Sequence, residues 1–162
     1  MKNLWAPWRI QYILSEKPKG CFFCQAPKKG QDREVFILYR ARHTYVIMNI
    51  YPYNNGHLMV VPYEHRPGLE GLPDAALAEL MSITRYSLRC LREAMNPDGF
   101  NIGINIGTVA GAGLKEHLHV HIVPRWNGDT SFMAVLDEVR VIPQHIRETY
   151  ELLWPIFNQK RD

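Results

Sequence analysis

Residues 116–126 read Glu-His-Leu-His-Val-His-Ile-Val-Pro-Arg-Trp, and the interpretation of the whole chain starts from this stretch. Alternation of histidine with apolar residues has a period of two, which predicts a β-strand whose side chains point in turn to opposite faces of a sheet. His117, His119 and His121 would then share one face. The apolar side chains between them, Leu118, Val120 and Ile122, would pack into the core on the other face. Histidine ionises near neutral pH and is the commonest metal ligand, so this pattern predicts a catalytic or metal-binding site.

A glycine-rich loop, Gly107–Gly113, leads into the histidine strand. Small residues let backbone N–H groups approach a ligand closely, and successive N–H groups can cradle a phosphate. Lys115 and Arg125 are cations close to the loop and strand, and each is either part of an anion site or a solvated surface charge. Together the loop and the strand predict a phosphate site beside a nucleophile.

The remaining sequence predicts an α+β domain with a mainly antiparallel sheet. A long helix opens at Pro73-Asp74 and runs to about Met95, with Leu and Met at helical spacing, and Cys90 on it is interpreted as a small buried residue. Asn55-Gly56 predicts a tight turn. The other predicted elements are the strands Val35–Tyr39, Thr44–Met48, His57–Val61 and Phe100–Ile106 and an amphipathic segment, Pro143–Phe157.

Length, charge and hydropathy restrict the class of protein. A chain of 162 residues suits a single domain. The 19 basic and 16 acidic residues give a net charge of +3, which is too mild for a general nucleic-acid binder. No apolar run reaches the roughly 20 residues of a membrane span, and the N-terminus lacks the apolar core of a signal peptide. We therefore expect a cytoplasmic protein with no nucleic-acid or membrane partner.

Three cysteines in such a protein are interpreted as thiols or metal ligands rather than as a disulfide framework. Cys21 and Cys24 have the spacing of a metal-ligand pair, which is also the spacing of a redox pair and occurs by chance in packed segments. No second Cys-x-x-Cys exists in the sequence, so a metal site would need histidine ligands.

The motifs, taken in order, resemble the histidine triad (HIT) superfamily of nucleotide hydrolases and transferases. Residues 117–123 follow its pattern of three histidines alternating with apolar residues. Met48-Asn49 and Asn55–Pro62 with His65 resemble a second block of the family, and Asn101–Gly107 with Val123–Trp126 resemble a third. The resemblance implies a HIT-like fold, with a five-stranded sheet, one long helix and a C-terminal helix. It also implies a homodimer whose sheets join edge to edge.

On this resemblance one domain, 1–162, has three parts: an N-terminal arm, 1–30, a catalytic core, 31–133, and a C-terminal segment, 134–162. The middle histidine, His119, would be the nucleophile that attacks the α-phosphorus of a nucleotide and forms a covalent nucleotidyl-histidine. His121 and His57 would complete the catalytic set. The nucleotide-binding residues would be Asn49, Asn105, Gly111, Gly113, His121 and Trp126. At Gly113 many members of the family carry Gln or Ser, so a loop N–H would replace that side chain.

Many bacterial members of the family bind zinc through two N-terminal cysteines, a histidine after the second block and the first triad histidine. The corresponding ligands here would be Cys21, Cys24, His65 and His117. Four protein ligands leave no open coordination position, so such a zinc would be structural and would attach the arm to the sheet. Magnesium on the substrate phosphates is a further expected cofactor. His43 and His145 match no motif and are predicted to be surface residues.

Two segments, Leu4–Arg9 with Tyr12 and Pro124–Met133, resemble bacterial relatives of diadenosine tetraphosphate phosphorylases. The resemblance therefore implies cleavage of a dinucleoside polyphosphate by inorganic phosphate. One alternative is a hydrolase of nucleoside phosphoramidates or adenylate conjugates. A second is a mononuclear zinc hydrolase with all three triad histidines on the metal, and a third is a nucleotide-binding module without catalysis.

Overall fold

The computed structural model describes residues 20–129 and 144–159. The N-terminal motif Leu4–Arg9 and the end of the segment Pro124–Met133 lie outside these residues. The described helices are α1 (Phe22–Gln25), α2 (Asp32–Val35), α3 (Asp74–Met95) and α4 (Ile146–Phe157). The strands are β1 (Ile37–Arg40), β2 (Thr44–Met48), β3 (Leu58–Pro62), β4 (Gly99–Ile104) and β5 (Val120–Arg125).

The five strands form one antiparallel sheet in the order β1-β2-β3-β5-β4. The predicted α+β class, with a five-stranded sheet and one long helix, is confirmed. β5 lies between β3 and β4, so that His121 pairs with Met59 on one side and Gly103 on the other. The strand that carries the last triad histidine is therefore inside the sheet, while β4 forms one edge.

Both faces of the sheet are covered, which explains why every residue of β2 and β3 is buried. On one face α3 and α4 pack against a core that includes the apolar residues alternating with the histidines, as predicted, namely Leu118, Val120 and Ile122. On the other face α1 and the turn after it pack against β2 and β3. That second cluster includes Phe23, Ala26, Tyr45, Ile47, Met59 and Val61. The histidines lie on this second face.

α3 begins and ends where the sequence predicted. Pro73 precedes it with extended backbone, and Asn96 ends it in the left-handed conformation with φ of 44°. Pro97 follows and cannot continue a helix. Cys90 is fully buried on this helix, as expected. No helix among the described residues is both long and apolar enough to cross a bilayer.

Two strand predictions were wrong at their starts. Val35 belongs to α2, which Phe36 ends with φ of 61°, so β1 begins only at Ile37. β5 begins at Val120, and His117 and His119 precede it rather than lie in it. The neighbouring β3 ends at Pro62, and beyond it the N–H of Leu118 bonds to the carbonyl of Arg66, 2.7 Å away. The alternation of faces nevertheless continues through this stretch, because all three histidines remain buried opposite Leu118 and Val120.

Candidate active site and metal site

The structure buries the three triad histidines and brings a fourth histidine, His57, against them. His57 directly precedes β3, which pairs with β5, so His57 and His121 become neighbours although 64 residues separate them. The ring centroids of His119 and His121 are 4.7 Å apart, and those of His57 and His121 are 5.1 Å apart. The predicted catalytic set of His119, His121 and His57 therefore forms one contiguous group.

The position of the proton on His119 follows from its backbone contact. Nδ1 of His119 lies 2.9 Å from the carbonyl oxygen of His117. A carbonyl only accepts a hydrogen bond, so Nδ1 carries the proton and Nε2 keeps its lone pair. Burial lowers the pKa of His119, which favours this neutral form. The ring of Phe23 packs on that of His119 with centroids 4.8 Å apart.

His57 and His121 form a directional pair with the opposite tautomer. The backbone N–H of Tyr53 donates to Nδ1 of His57 over 3.0 Å, so the proton of a neutral His57 ring must lie on Nε2. Nε2 of His57 lies 3.0 Å from Nδ1 of His121 and donates to it. Nδ1 of His121 is then an acceptor, and its own proton lies on Nε2. The pair thus presents an N–H at His121, where His119 presents a lone pair.

Both members of this pair are held neutral. Burial, followed by the neighbouring imidazoles of His121 and His119, lowers the pKa of His57 to about 3. Burial and the proximity of His119 lower the pKa of His121 to about 4. At physiological pH both rings are therefore neutral, and His57 donates one hydrogen bond to His121.

His117 faces away from this pair, towards the N-terminal arm. Its Nε2 lies 2.8 Å from the carbonyl oxygen of Pro62, so Nε2 carries the proton and Nδ1 is the free ligand atom. Nδ1 lies 3.3 Å from Sγ of Cys21 and 3.5 Å from Sγ of Cys24. Nδ1 of His65 lies 3.4 Å from Sγ of Cys24. The thiol of Cys24 therefore lies close to both histidines and joins them in one cluster.

The ligand atoms of Cys21, Cys24, His65 and His117 all lie within 4.8 Å of one another. In tetrahedral zinc coordination, bond lengths of about 2.3 Å to sulfur and 2.0–2.1 Å to nitrogen place sulfur and nitrogen about 3.6 Å apart. Three of the four sulfur–nitrogen separations are 3.3 to 3.5 Å and fit that geometry. Two sulfur and two nitrogen donors form a closed set. The four residues that the resemblance assigned can therefore hold a metal.

The predicted nucleotide-binding residues differ in their surroundings. The side chain of Asn49 is already engaged, since its Oδ1 accepts from the N–H of Tyr51 at 2.8 Å and its Nδ2 lies 3.4 Å from Nδ1 of His57. Gly111 adopts φ of +86°, and a Cβ there would lie 4.0 Å from Nδ2 of Asn105, so this part of the loop lies against Asn105. Gly113 has open space around it.

Trp126 and Arg125, at the end of β5, both form hydrogen bonds within the protein. The indole N–H of Trp126 donates to the carbonyl oxygen of Met95, 3.3 Å away at the end of α3. The guanidinium of Arg125 bonds to both carboxylate oxygens of Asp129 at 2.6 and 2.8 Å. Lys115 is exposed.

Of the two histidines without a motif, His145 is exposed and His43 is half-buried. The side chain of His145 accepts from the N–H of Arg147 at the start of α4. Neither residue belongs to the group around the triad.

Sequence reasoning missed three contributors to the site. Phe23 packs on the rings of both His117 and His119. Tyr53 contributes its backbone N–H to His57, and Asn54 anchors the same turn. Phe23 lies between the two cysteines, which was the available signal for its position. A backbone N–H has no sequence signal, since almost every residue has one.

Comparison with known proteins gives consistent results. The HIT domain family matches residues 31–128. The chain is 41% identical to the AP-4-A phosphorylase of Mycobacterium tuberculosis over 162 aligned positions, covering 94% of this chain and 83% of that protein. It is 31% identical to the asymmetrical bis(5'-nucleosyl)-tetraphosphatase of Schizosaccharomyces pombe, over 70% of this chain and 59% of that protein.

Among solved structures, a zinc-bound histidine triad family protein from Mycobacterium smegmatis superposes with a TM-score of 0.68 and 31% identity. The superposition covers 85% of this chain and 93% of that one. The sequence and structure comparisons therefore agree on the family.

Proposed function

The chain belongs to the HIT family, and on that premise we propose that it is an enzyme that cleaves dinucleoside polyphosphates at an α-phosphate through His119. The observation that carries the proposal is the hydrogen bond from Nδ1 of His119 to the carbonyl of His117. It leaves Nε2 as a nucleophile whose orientation is fixed by the backbone. The name of the M. tuberculosis relative supports the substrate class.

In the first step Nε2 of His119 forms a bond to the α-phosphorus while the bond from phosphorus to the bridging oxygen breaks. The leaving group is a nucleotide phosphate, which departs as an anion and needs no proton. The Nε2–H of His121 is suited to donate a hydrogen bond to that oxygen as negative charge develops on it. In the second step an oxygen of phosphate or water attacks phosphorus, the bond to His119 breaks and returns its electron pair to Nε2, and the proton of the attacking group is released to solvent.

The loop before β5 supports the phosphate side of the proposal. The loop residues Gly107 and Gly111 both have positive φ values, and the loop lies against Asn105. We propose that N–H groups of this loop and the amide of Asn105 line the path of the phosphates. Asn49, Gly113 and Trp126 remain predicted nucleotide contacts. Magnesium, if it takes part, would arrive on the substrate phosphates.

We propose that the metal site holds zinc and that the zinc is structural. Its two thiols and two imidazoles suit zinc and would occupy all four of its positions. The zinc-bound relative from M. smegmatis supports the identity of the metal. The metal would hold α1, and with it Phe23, against the histidine face. It would supply no step of the reaction.

The geometry argues against a mononuclear zinc hydrolase that uses all three triad histidines. Their lone pairs point to different partners: that of His117 to the thiols and that of His121 to His57. A nucleoside phosphoramidate or adenylate conjugate would be attacked by the same nucleophile. Only the substrate that is turned over distinguishes such an enzyme from one that cleaves dinucleoside polyphosphates.

Product analysis on diadenosine tetraphosphate, with and without inorganic phosphate, tests the function. A phosphorylase forms ADP and ATP only when phosphate is present, and labelled phosphate appears in ADP. A hydrolase forms AMP and ATP without phosphate. The proposal fails if neither pair of products forms while a phosphoramidate or adenylate conjugate is turned over, or if nucleotides bind and nothing is cleaved.

We further propose a homodimer in which β4 of one chain lies beside β4 of another, in the cytoplasm. β4 is an edge strand, and Ile102 on it is 47% exposed. Sedimentation of the native protein should give twice the chain mass, and Ile102→Lys should shift it towards the monomer. A monomeric native protein at micromolar concentration would contradict this arrangement.

A further inference from the structure

The turn that carries Tyr53 is tied to the end of β5 by a buried side chain that the reaction scheme does not use. Asn54 is 4% exposed. Its Nδ2 donates to the carbonyl of Pro124 at 3.0 Å and to Oδ2 of Asp129 at 2.8 Å, and its Oδ1 accepts from the N–H of Asn55. A buried amide with all these contacts fixes the turn with respect to β5.

Asp129 is itself held from three directions. It accepts two hydrogen bonds from Arg125, at 2.6 and 2.8 Å, and a third from the N–H of Trp126 at 3.2 Å. Arg125 also donates to Oδ1 of Asn101 on β4. Bidentate arginine–carboxylate pairs have a specific geometry, so the oxygen that meets Asn54 has a defined position.

Asn54 directly follows Tyr53, whose backbone N–H determines the direction of the hydrogen bond between His57 and His121. The N–H of Tyr53 donates to Nδ1 of His57, and the N–H of His57 closes the turn on the carbonyl of Asn54 at 3.3 Å. Because Tyr53 donates to Nδ1 of His57, the proton of His57 lies on Nε2, which donates to Nδ1 of His121. The proton on Nε2 of His121 therefore depends on the N–H of Tyr53, which is the shorter of two donor contacts to Nδ1 of His57, the other being Nδ2 of Asn49 at 3.4 Å.

We propose that Asn54 and Asp129 are positioning residues whose part-buried hydrogen bond holds the Tyr53 N–H on His57 and thereby fixes both His57 and His121 as Nε2–H tautomers. If the turn moved, Nδ1 of His57 would lose its shorter donor contact. The remaining contact, with Nδ2 of Asn49 at 3.4 Å, is at the limit of hydrogen-bond distance, so Nδ1 could take the proton. His57 would then offer no N–H to His121, whose ring could turn its lone pair towards the substrate. The catalytic consequence rests on the proposed function, whereas the tautomers do not.

The test uses zinc-loaded protein with ¹⁵N-labelled histidine, in which long-range ¹H–¹⁵N correlations report which ring nitrogen carries the proton. The wild type should show His57 and His121 protonated at Nε2. Asn54→Ala should move the two ring nitrogens of each towards averaged shifts. On the cleaved dinucleotide its kcat should fall about tenfold, with KM changed by less than about twofold, because misplaced groups act on the chemical step.

Asn55→Ala is the matched control in the same turn. The side chain of Asn55 bonds to Gln144, just before α4, and to Thr149 on α4, and not to Asp129. Its loss should therefore leave the tautomers and kcat unchanged. Asp129→Ala should change the tautomers and kcat in the same direction as Asn54→Ala but by less, because Asn54 keeps its bond to the carbonyl of Pro124. The double variant should add little to Asn54→Ala, since the bond between the two side chains is already lost there. If Asn54→Ala does not fold, Asp129→Ala alone decides.

Two results would overturn the inference. One is an unchanged Nε2–H pattern for His57 and His121 in the folded Asn54→Ala or Asp129→Ala protein. The other is an equal change in Asn55→Ala, which would indicate a general loosening of the turn. If the wild type cleaves no dinucleotide, the proposed function fails while the tautomer measurement still decides this inference.

Discussion

The two ends of the histidine run are built from the same residue type and behave differently. At the first end, the lone pair of His117 faces the thiols of Cys21 and Cys24. At the other end, the lone pair of His121 accepts from His57, which leaves the proton of His121 on Nε2. His119 lies between them and has its proton on the opposite nitrogen, Nδ1.

The difference shows that position in the strand pattern does not assign a histidine its role. The partner of one ring nitrogen does, because in a neutral imidazole a proton fixed on one nitrogen leaves the other as an acceptor. The carbonyl of His117 fixes the proton of His119, and the carbonyl of Pro62 fixes that of His117. The N–H of Tyr53 fixes the proton of His57 and, through it, that of His121. The metal end should therefore govern stability, and the substrate end should govern turnover.

The largest effect expected on this account is that of His119→Ala. Without the nucleophile, turnover of the dinucleotide should fall by about 10⁴-fold or more, and no covalent nucleotidyl-protein should form. Steady-state kinetics and intact-protein mass after rapid quenching measure both. The zinc content should stay at that of the wild type, and wild-type turnover in this variant would refute the role of His119.

His121→Gln should lower kcat by about 10²-fold, because the flexible amide of glutamine does not reproduce the preorganised Nε2–H donor proposed to face the leaving oxygen. Its zinc content and unfolding temperature should stay close to those of the wild type, since the residue does not touch the cysteines. A variant that loses zinc together with activity would show that the two ends of the run are not separate.

Cys24→Ser should have the reverse profile. Loss of one thiolate from the proposed four-ligand site should weaken the binding of the metal and the attachment of the N-terminal arm. The unfolding temperature should therefore fall by about 10 °C. Calorimetry with and without added zinc measures this shift, and a metal assay gives the content. At a temperature where the variant is folded, kcat should fall far less than in His121→Gln.

The smallest expected effect is the contribution of a single histidine at the substrate end to the pH dependence of stability. In the unfolded chain His57 and His121 take up protons near pH 6.5, whereas their folded pKa values are about 3 and about 4. Below pH 6.5 the unfolded state therefore binds more protons, and the free energy of unfolding falls with falling pH. Each residue contributes up to about 1.4 kcal/mol per pH unit.

Chemical unfolding at pH 7 and pH 5 measures this slope. His57→Gln should be flatter than the wild type over that interval, because it removes one of the buried histidines that take up a proton on unfolding. Equal slopes in the two proteins would indicate that His57 is already protonated in the folded state at pH 5.

The sequence predicted those parts of the structure that have local signals. α3 was correct at both ends because Pro73 and Asn96-Pro97 mark them, and the alternation around His119 correctly placed the histidines on one face. β5 was predicted too early, because the pairing of the residues before it depends on where β3 ends. The approach of His57 to His121 depends on the pairing of β3 with β5, which no short stretch encodes. The four metal ligands came from the family resemblance, since spacing alone pointed only to the two cysteines.

The most direct test of the account is the protonation pattern of the four buried histidines in the zinc-loaded wild type. Long-range ¹H–¹⁵N correlations should show the proton on Nδ1 of His119 and on Nε2 of His57, His117 and His121. Such a pattern leaves one lone pair for phosphorus, one for the metal and one N–H for the leaving oxygen. A proton on Nε2 of His119 would contradict the account, because the proposed nucleophile would then have no lone pair towards the substrate.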